Sequence, residues 1–243
     1  MVFLDKCDKH FGLNIVWVEA VVHFGTRKGC THRVVNFETA KRNGEVFEEV
    51  IKKYGIPNTK FKHCTRELKR NPIRSYAKSI GWERYRTAIG YRADEPKRVS
   101  WEKAKKLNQW YLLAEIGIKK PDVALFWKQQ PFDLQLKDYE GNCKLCYKKS
   151  ERKLLTQIVE HPEDTNWVKD MEIKYEQVKP KKKANDKTPV RMFRHNEGID
   201  DLIARSKEPF ELSVDQSTIT EGAAEYDYEM DLQEDCAESC EPF

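Results

Sequence analysis

Apolar positions along the chain fall into short runs whose spacing alternates between strand-like and helix-like. Leu13 to Val22 is nearly continuously apolar, the pattern of a strand covered on both faces, as in a parallel sheet. Residues 1–11 before it read as the end of a helix. Val34 to Phe37 reads as the start of a loop. Phe47, Val50, Ile51 and Tyr54 recur at helical spacing, and Gly55 followed by Pro57 is a stop signal. A helix is predicted over Glu67 to Ile80, with Pro72 near its start or at a kink. Tyr85 to Tyr91 is a second strand candidate, and Trp110 to Glu115 reads as strand or loop. Pro121 to Trp127 predicts a turn and then a helix. Cys143 to Val159 reads as a cysteine-bearing loop leading into a helix. Such alternation is the mark of the α/β class. Past about Trp167 the pattern degrades, apart from a short helical stretch at Asp200 to Ala204.

Composition narrows the picture. A chain of 243 residues with 39% hydrophobic and 11% aromatic residues can build a core. The charged share of 35% exceeds the ordinary value of about 25%. No apolar run approaches the roughly 20 residues of a membrane helix. Met1 to Cys7 lacks the layout of a secretory signal. A cytoplasmic protein without a membrane partner is expected. The net charge of +4 is too balanced to name nucleic acid as a partner by itself. Its distribution is uneven, because Glu221 to Phe243 is acidic and contains no Lys or Arg. Lys179 to Lys187 is basic, and reads either as a solvated linker or as a contact to a phosphate backbone. The cysteines are seven: Cys7, Cys30, Cys64, Cys143, Cys146, Cys236 and Cys240. An odd number argues against a disulfide framework and for metal, cluster or thiol chemistry.

Four constellations carry candidate chemistry. His63-Cys64-Thr65-Arg66-Glu67-Leu68-Lys69 sets a thiol beside cations near a helix start, which favours thiolate; the alternative is an inert buried cysteine. In Ile89-Gly90-Tyr91-Arg92-Ala93-Asp94-Glu95-Pro96-Lys97-Arg98, a strand ends on a charged loop. Arg92 and Arg98 suit phosphate or sulfate, and Asp94 or Glu95 can orient an arginine or hold a metal. The alternative is a surface ion-pair loop. Gly141-Asn142-Cys143-Lys144-Leu145-Cys146 holds two thiols at the spacing of a metal, cluster or redox pair. Zinc would need further ligands, and an iron–sulfur cluster on Cys64, Cys143 and Cys146 would leave one iron open. Cys236-Ala237-Glu238-Ser239-Cys240 lies among acids that disfavour thiolate.

Taken in order, these segments resemble the phosphoadenosine-phosphosulfate (PAPS) reductase-like branch of the PP-loop ATP pyrophosphatase superfamily, especially versions carried by bacteriophages. Asn43-Gly44 before Phe47, and Tyr54-Gly55-Ile56-Pro57-Asn58, add to the likeness, which covers residues 1–170. The resemblance implies a Rossmann-like (adenine nucleotide alpha hydrolase-like) parallel sheet, N-terminally incomplete, with an irregular C-terminal extension over 171–243. It implies binding of PAPS, its relative APS, or ATP. Arg66, Lys69, Arg92, Asp94, Glu95 and Arg98 would bind substrate. Cys64, Cys143 and Cys146 would hold a 4Fe-4S cluster, with zinc as the alternative. Cys64, or Cys236 or Cys240 from the tail, would be the catalytic thiol, and a thioredoxin-like protein the reductant. The family's Ser-Gly-Gly-rich phosphate loop is not found before Leu13, and Gly25 to Gly29 lies too late to supply it. Three functions therefore stand open. They are sulfur-nucleotide reduction, sulfur transfer to RNA or DNA, and a non-catalytic or split-enzyme subunit. The last would work as a homo-oligomer or with a partner chain carrying the loop.

Overall fold

A computed structural model describes residues 1–137, 139–141, 143–179 and 185–215. The Lys181–Lys183 segment, Cys236 and Cys240 lie outside the described residues. The first helix, α1, spans Val2–Phe11 and ends on Gly12 in the left-handed conformation. Strands β1 (Trp17–Val21) and β2 (Thr31–Val35) pair antiparallel, with Trp17 opposite Val35 and Val21 opposite Thr31. The strand expected at Leu13 to Val22 is thus shorter, and its partner ends on Val34 and Val35, where the start of a loop was expected. Glu19 explains the half-buried character of β1: it is ion-paired across the pair with Arg33 at 2.7 Å, which holds one face at the surface. Only Ala20 of this strand is buried.

Helix α2 (Glu45–Tyr54) carries the predicted apolar face and stops at Gly55, whose N–H reaches Ile51 O at 2.7 Å. Gly55 has φ 88°, and a Cβ there would run into the carbonyl oxygen of Val178. The next segment is helical in three parts: α3 (His63–Thr65), a π-helical turn (Arg66–Arg70) and α4 (Asn71–Ser79). Pro72 accounts for the wide turn. It has no N–H to give to the carbonyl of Leu68, and its ring crowds that carbonyl; the Asn71 N–H instead reaches back to Arg66 O.

Strands β3 (Thr87–Ala88) and β4 (Gln109–Trp110) form a two-residue parallel pair. Between them lies α5 (Trp101–Leu107), capped by the Ser100 side chain and closed by Asn108 at φ 52°. Then come α6 (Leu112–Glu115), α7 (Lys120–Lys128), α8 (Glu151–Glu160), α9 (Thr165–Tyr175) and α10 (Ile199–Arg205). The predicted loop-then-helix over Cys143 to Val159 is present. Among the described residues the strands form two two-stranded sheets.

The main core joins α2, the cysteine loop, α8, α9 and α10 through Ile51, Leu145, Tyr147, Leu155, Met171 and Leu202. Burying each such aliphatic side chain contributes about 1.5–3 kcal/mol. Residues on both sides of position 170 share this core. Glu172 ties it to the later chain: its carboxylate accepts the N–H groups of Met192 and Ile199, both at 2.9 Å. A second cluster sets Ala20, Cys30 and Val50 together, and a third gathers Tyr91, Ala104 and Tyr111. No described helix is long and apolar enough to cross a membrane.

Glu67 joins the π turn to the strand pair. Its side chain is only 3% exposed; it accepts the Cys30 N–H at 2.9 Å, Arg66 Nε at 2.7 Å and Asn71 Nδ2 at 3.1 Å. Burial alone would raise its pKa. The bonds from Cys30 and Arg66 outweigh that and hold the carboxyl below its ordinary value. Replacing Glu67 by Ala orphans a buried N–H and is expected to cost about 3 kcal/mol in urea unfolding. Arg66→Ala removes a half-exposed, water-screened partner and should cost less than about 1 kcal/mol. Equal losses for the two variants would contradict this division.

Candidate functional site

The π turn sets the positions of the first candidate residues. Cys64 lies on α3, and its Sγ is 3.6 Å from the Tyr147 hydroxyl. Tyr147 follows the second cysteine of the Cys143–Cys146 loop, so thiols from distant parts of the sequence come to one place. Cys64, Cys143 and Cys146 line one cavity of about 380 Å³. Lys69 and Lys144 contribute charge to its wall, and Phe47, Leu68, Trp167 and Met192 contribute apolar surface. The loop is held from both sides. Lys144 Nζ is 2.7 Å from Asp164 Oδ1, and the Lys149 N–H bonds Cys146 O at 2.9 Å. None of Cys7, Cys30, Cys64, Cys143 and Cys146 is in a disulfide.

Trp167 is seated by Gly44. This glycine caps α2 with φ 86°, and a Cβ on it would sit 2.5 Å from Trp167 Nε1. The ring also meets Phe47, centroid to centroid at 5.3 Å. Gly44, Phe47, Tyr147 and Trp167 were not picked out from sequence as site residues. The signal for Gly44 was present, since Asn43-Gly44 before an amphipathic helix is a left-handed N-cap.

Arg66, expected to bind substrate, is ion-paired with Glu67 and remains half-exposed. Lys69 does face the cavity. The Arg92 loop is built apart from it, and none of its residues lines that wall. Arg92 Nε bonds Asp94 Oδ1 at 2.9 Å, and the Arg92 N–H bonds Glu95 Oε2 at 2.9 Å. Arg98 pairs with the other oxygen of Glu95, and the Lys120 N–H bonds Asp94 Oδ2 at 3.1 Å. The four residues are therefore brought together, with the carboxylates buried beneath the arginines.

Among the described residues, the set of three metal-ligand atoms within 4.8 Å of one another belongs to Glu140, Glu160 and His161. Glu160 already accepts Lys137 Nζ at 2.7 Å and the Tyr139 hydroxyl at 3.0 Å, so a cation is in place there. The thiols of the cavity are not gathered that tightly. A single zinc ion, which needs four close donors, fits them poorly.

Two buried titratable groups, Cys30 and His63, are inert at neutral pH. The Cys30 thiol is pushed up to about 12 by burial, then by the Glu67 carboxylate. Native protein treated with iodoacetamide at pH 8 should therefore carry label on the Cys143 peptide and none on the Cys30 peptide by mass spectrometry. In denaturant both should react. His63 is held down to about 4 from 6.5, first by burial and then by the Arg66 charge. At pH 7 it is neutral both folded and unfolded. As pH falls below 6.5 the unfolded chain takes up the proton first. Stability is thus fully present above 6.5 and is lost toward pH 4, by up to about 3 kcal/mol. A His63→Leu variant should lose this part of the acid limb in urea midpoints compared at pH 7 and pH 5.

No family model matches the chain, and no solved structure matches it. Over 109 residues it is 42% identical to an uncharacterized nin region protein of Escherichia phage lambda. The match covers 44% of this chain and 36% of the relative, so the chain spans well under two thirds of that protein's length. The chain is similar to a bacteriophage protein.

Proposed function

We propose that the chain belongs to a PAPS reductase-like protein and that its thiol cavity handles the sulfur of an adenylated sulfur nucleotide. The observation that carries this reading is the convergence of Cys64, Cys143 and Cys146 on one cavity with Lys69 and Lys144. The aromatic wall of Phe47 and Trp167 offers a flat apolar surface to a purine. Lys69 and Arg42 in the wall offer charge to sulfate and phosphate oxygens, while Lys144 is paired with Asp164. The phage lambda relative agrees with the bacteriophage part of this reading. On this reading the fold is of the Rossmann-like class, and the Arg92 loop presents its ion-paired arginines to the nucleotide.

The chemistry balances with thiols alone. One thiolate attacks the sulfo sulfur of PAPS; the bond from sulfur to the phosphate oxygen breaks, and adenosine bisphosphate leaves. The sulfo group is then on cysteine. A second thiol attacks that cysteine sulfur, sulfite leaves with the electron pair, and a disulfide remains. A thioredoxin-like dithiol supplies two electrons to restore it. A 4Fe-4S cluster on Cys64, Cys143 and Cys146 would supply an open iron as a sulfur ligand. In that case the attacking thiol must come from elsewhere in the chain, and Cys236 and Cys240 are the candidates.

Protein purified anaerobically and mixed with PAPS and reduced thioredoxin should release sulfite. Cys64→Ser should cut the rate roughly a thousandfold or more, the scale of losing a nucleophile or the site that holds the reacting group. Absence of sulfite from the parent protein, with iron and sulfide content verified, would defeat the proposal.

A further inference from the structure

A row of cations runs along the far side of the π turn. Lys69 faces the thiol cavity, whereas its neighbour Arg70 lines a separate cavity of about 330 Å³ with Arg74, Arg84 and Tyr85. Arg70, Arg74 and Lys78 follow one another at helical i, i+4 spacing, which stacks their charges on one face. Among the described residues none of Arg70, Arg74, Lys78 and Arg84 has a carboxylate within ion-pair distance. Glu83 is the one acid in this cavity wall, and it pairs with none of them. Arg70 Nε is buried with no acceptor. Burial first, then the charges of Arg74 and Arg66, pull the Arg70 pKa down. Like charges gathered around an orphaned donor call for an anion from outside.

The surroundings indicate which anion. Trp82 is 57% exposed and lies 6.2 Å, centroid to centroid, from Tyr85 of the cavity wall. Arg86 covers the ring of Trp110 at 5.3 Å. The rim is rigid, since Asn108 Nδ2 bonds Tyr85 O at 2.5 Å and the Thr87 N–H bonds Asn108 O at 3.0 Å. An acidic peptide would answer the cations but leave the exposed rings idle. Duplex bases have no open faces for those rings. A single strand answers both, with phosphates on arginines and bases on aromatic faces.

We infer that this face binds single-stranded nucleic acid, with Arg70, Arg74 and Arg84 on phosphates and Trp82 and Tyr85 stacked on bases. The inference does not depend on sulfur chemistry in the thiol cavity.

Fluorescence polarisation of the full chain with a labelled single-stranded oligonucleotide of about 20 bases, at roughly 50 mM salt, tests it. Binding should weaken with salt. The double variant Arg74→Gln, Arg84→Gln should bind about tenfold or more weakly, with a log K against log salt slope shallower by about 2. Trp82→Ala should cost about tenfold and leave that slope unchanged. All three positions are exposed, and unchanged urea midpoints would verify folding. No binding at low salt would overturn the inference. So would parent-like affinity of the double variant, or a loss seen only on neutralising Lys181, Lys182 and Lys183. Equal affinity for duplex with no effect of Trp82→Ala would overturn the single-strand assignment.

Discussion

The buried carboxylate of Glu67 is the point on which both candidate surfaces depend. It is a charge taken out of water, and it stays ionised because three donors surround it. Those donors come from the loop before β2, the π turn and the start of α4. Removing the carboxylate would free all three pieces at once. The wide turn then sends consecutive side chains in different directions, Lys69 to the thiol cavity and Arg70 to the cationic one. A regular helix through Pro72 would not leave the same division.

Local chemistry made much of this readable in advance. The apolar spacing of Phe47 to Tyr54 and the Gly55 stop reproduce α2, and Pro72 marks the irregular turn. The cysteine loop leading into α8 was legible from Ser150 and the apolar residues after it. What failed to read was pairing. Leu13 to Val22 looks like a strand for a buried parallel sheet, but the short connection from Val21 to Thr31 makes its partner antiparallel, and the Glu19–Arg33 pair holds one face at the surface. Helix α9 was hidden because its apolar residues, Trp167, Val168, Met171, Ile173 and Tyr175, are interleaved with charged ones and do not all face the core: Ile173 is exposed. The burial of the others is decided by contacts with α2 and α10, which local periodicity does not carry.

The same contrast holds for the sites. Cys64, Cys143 and Cys146 share one cavity, and a motif order in the sequence placed them together before any geometry did. Arg92, Asp94, Glu95 and Arg98 do meet, but as an ion-paired loop rather than as open cations. The repeat of Arg66, Arg70, Arg74 and Lys78 at every fourth position was visible in the sequence. It gained meaning only once the structure showed which of them lack carboxylate partners.

The two glycines that bracket α2 have a consequence for biosynthesis. Gly44 receives Trp167, Gly55 receives the carbonyl of Val178, and Tyr175 bonds Glu48 at 2.9 Å across 127 positions of sequence. Helix α2 therefore waits for a partner that leaves the ribosome long after it does. Until then Cys64 has no Tyr147 beside it and the cavity has no Trp167 wall. The nascent chain must carry an open apolar face and an unprotected thiol while the 83 positions from Cys64 to Tyr147 and the 127 from Glu48 to Tyr175 are made, a period in which a chaperone or a reducing milieu protects it.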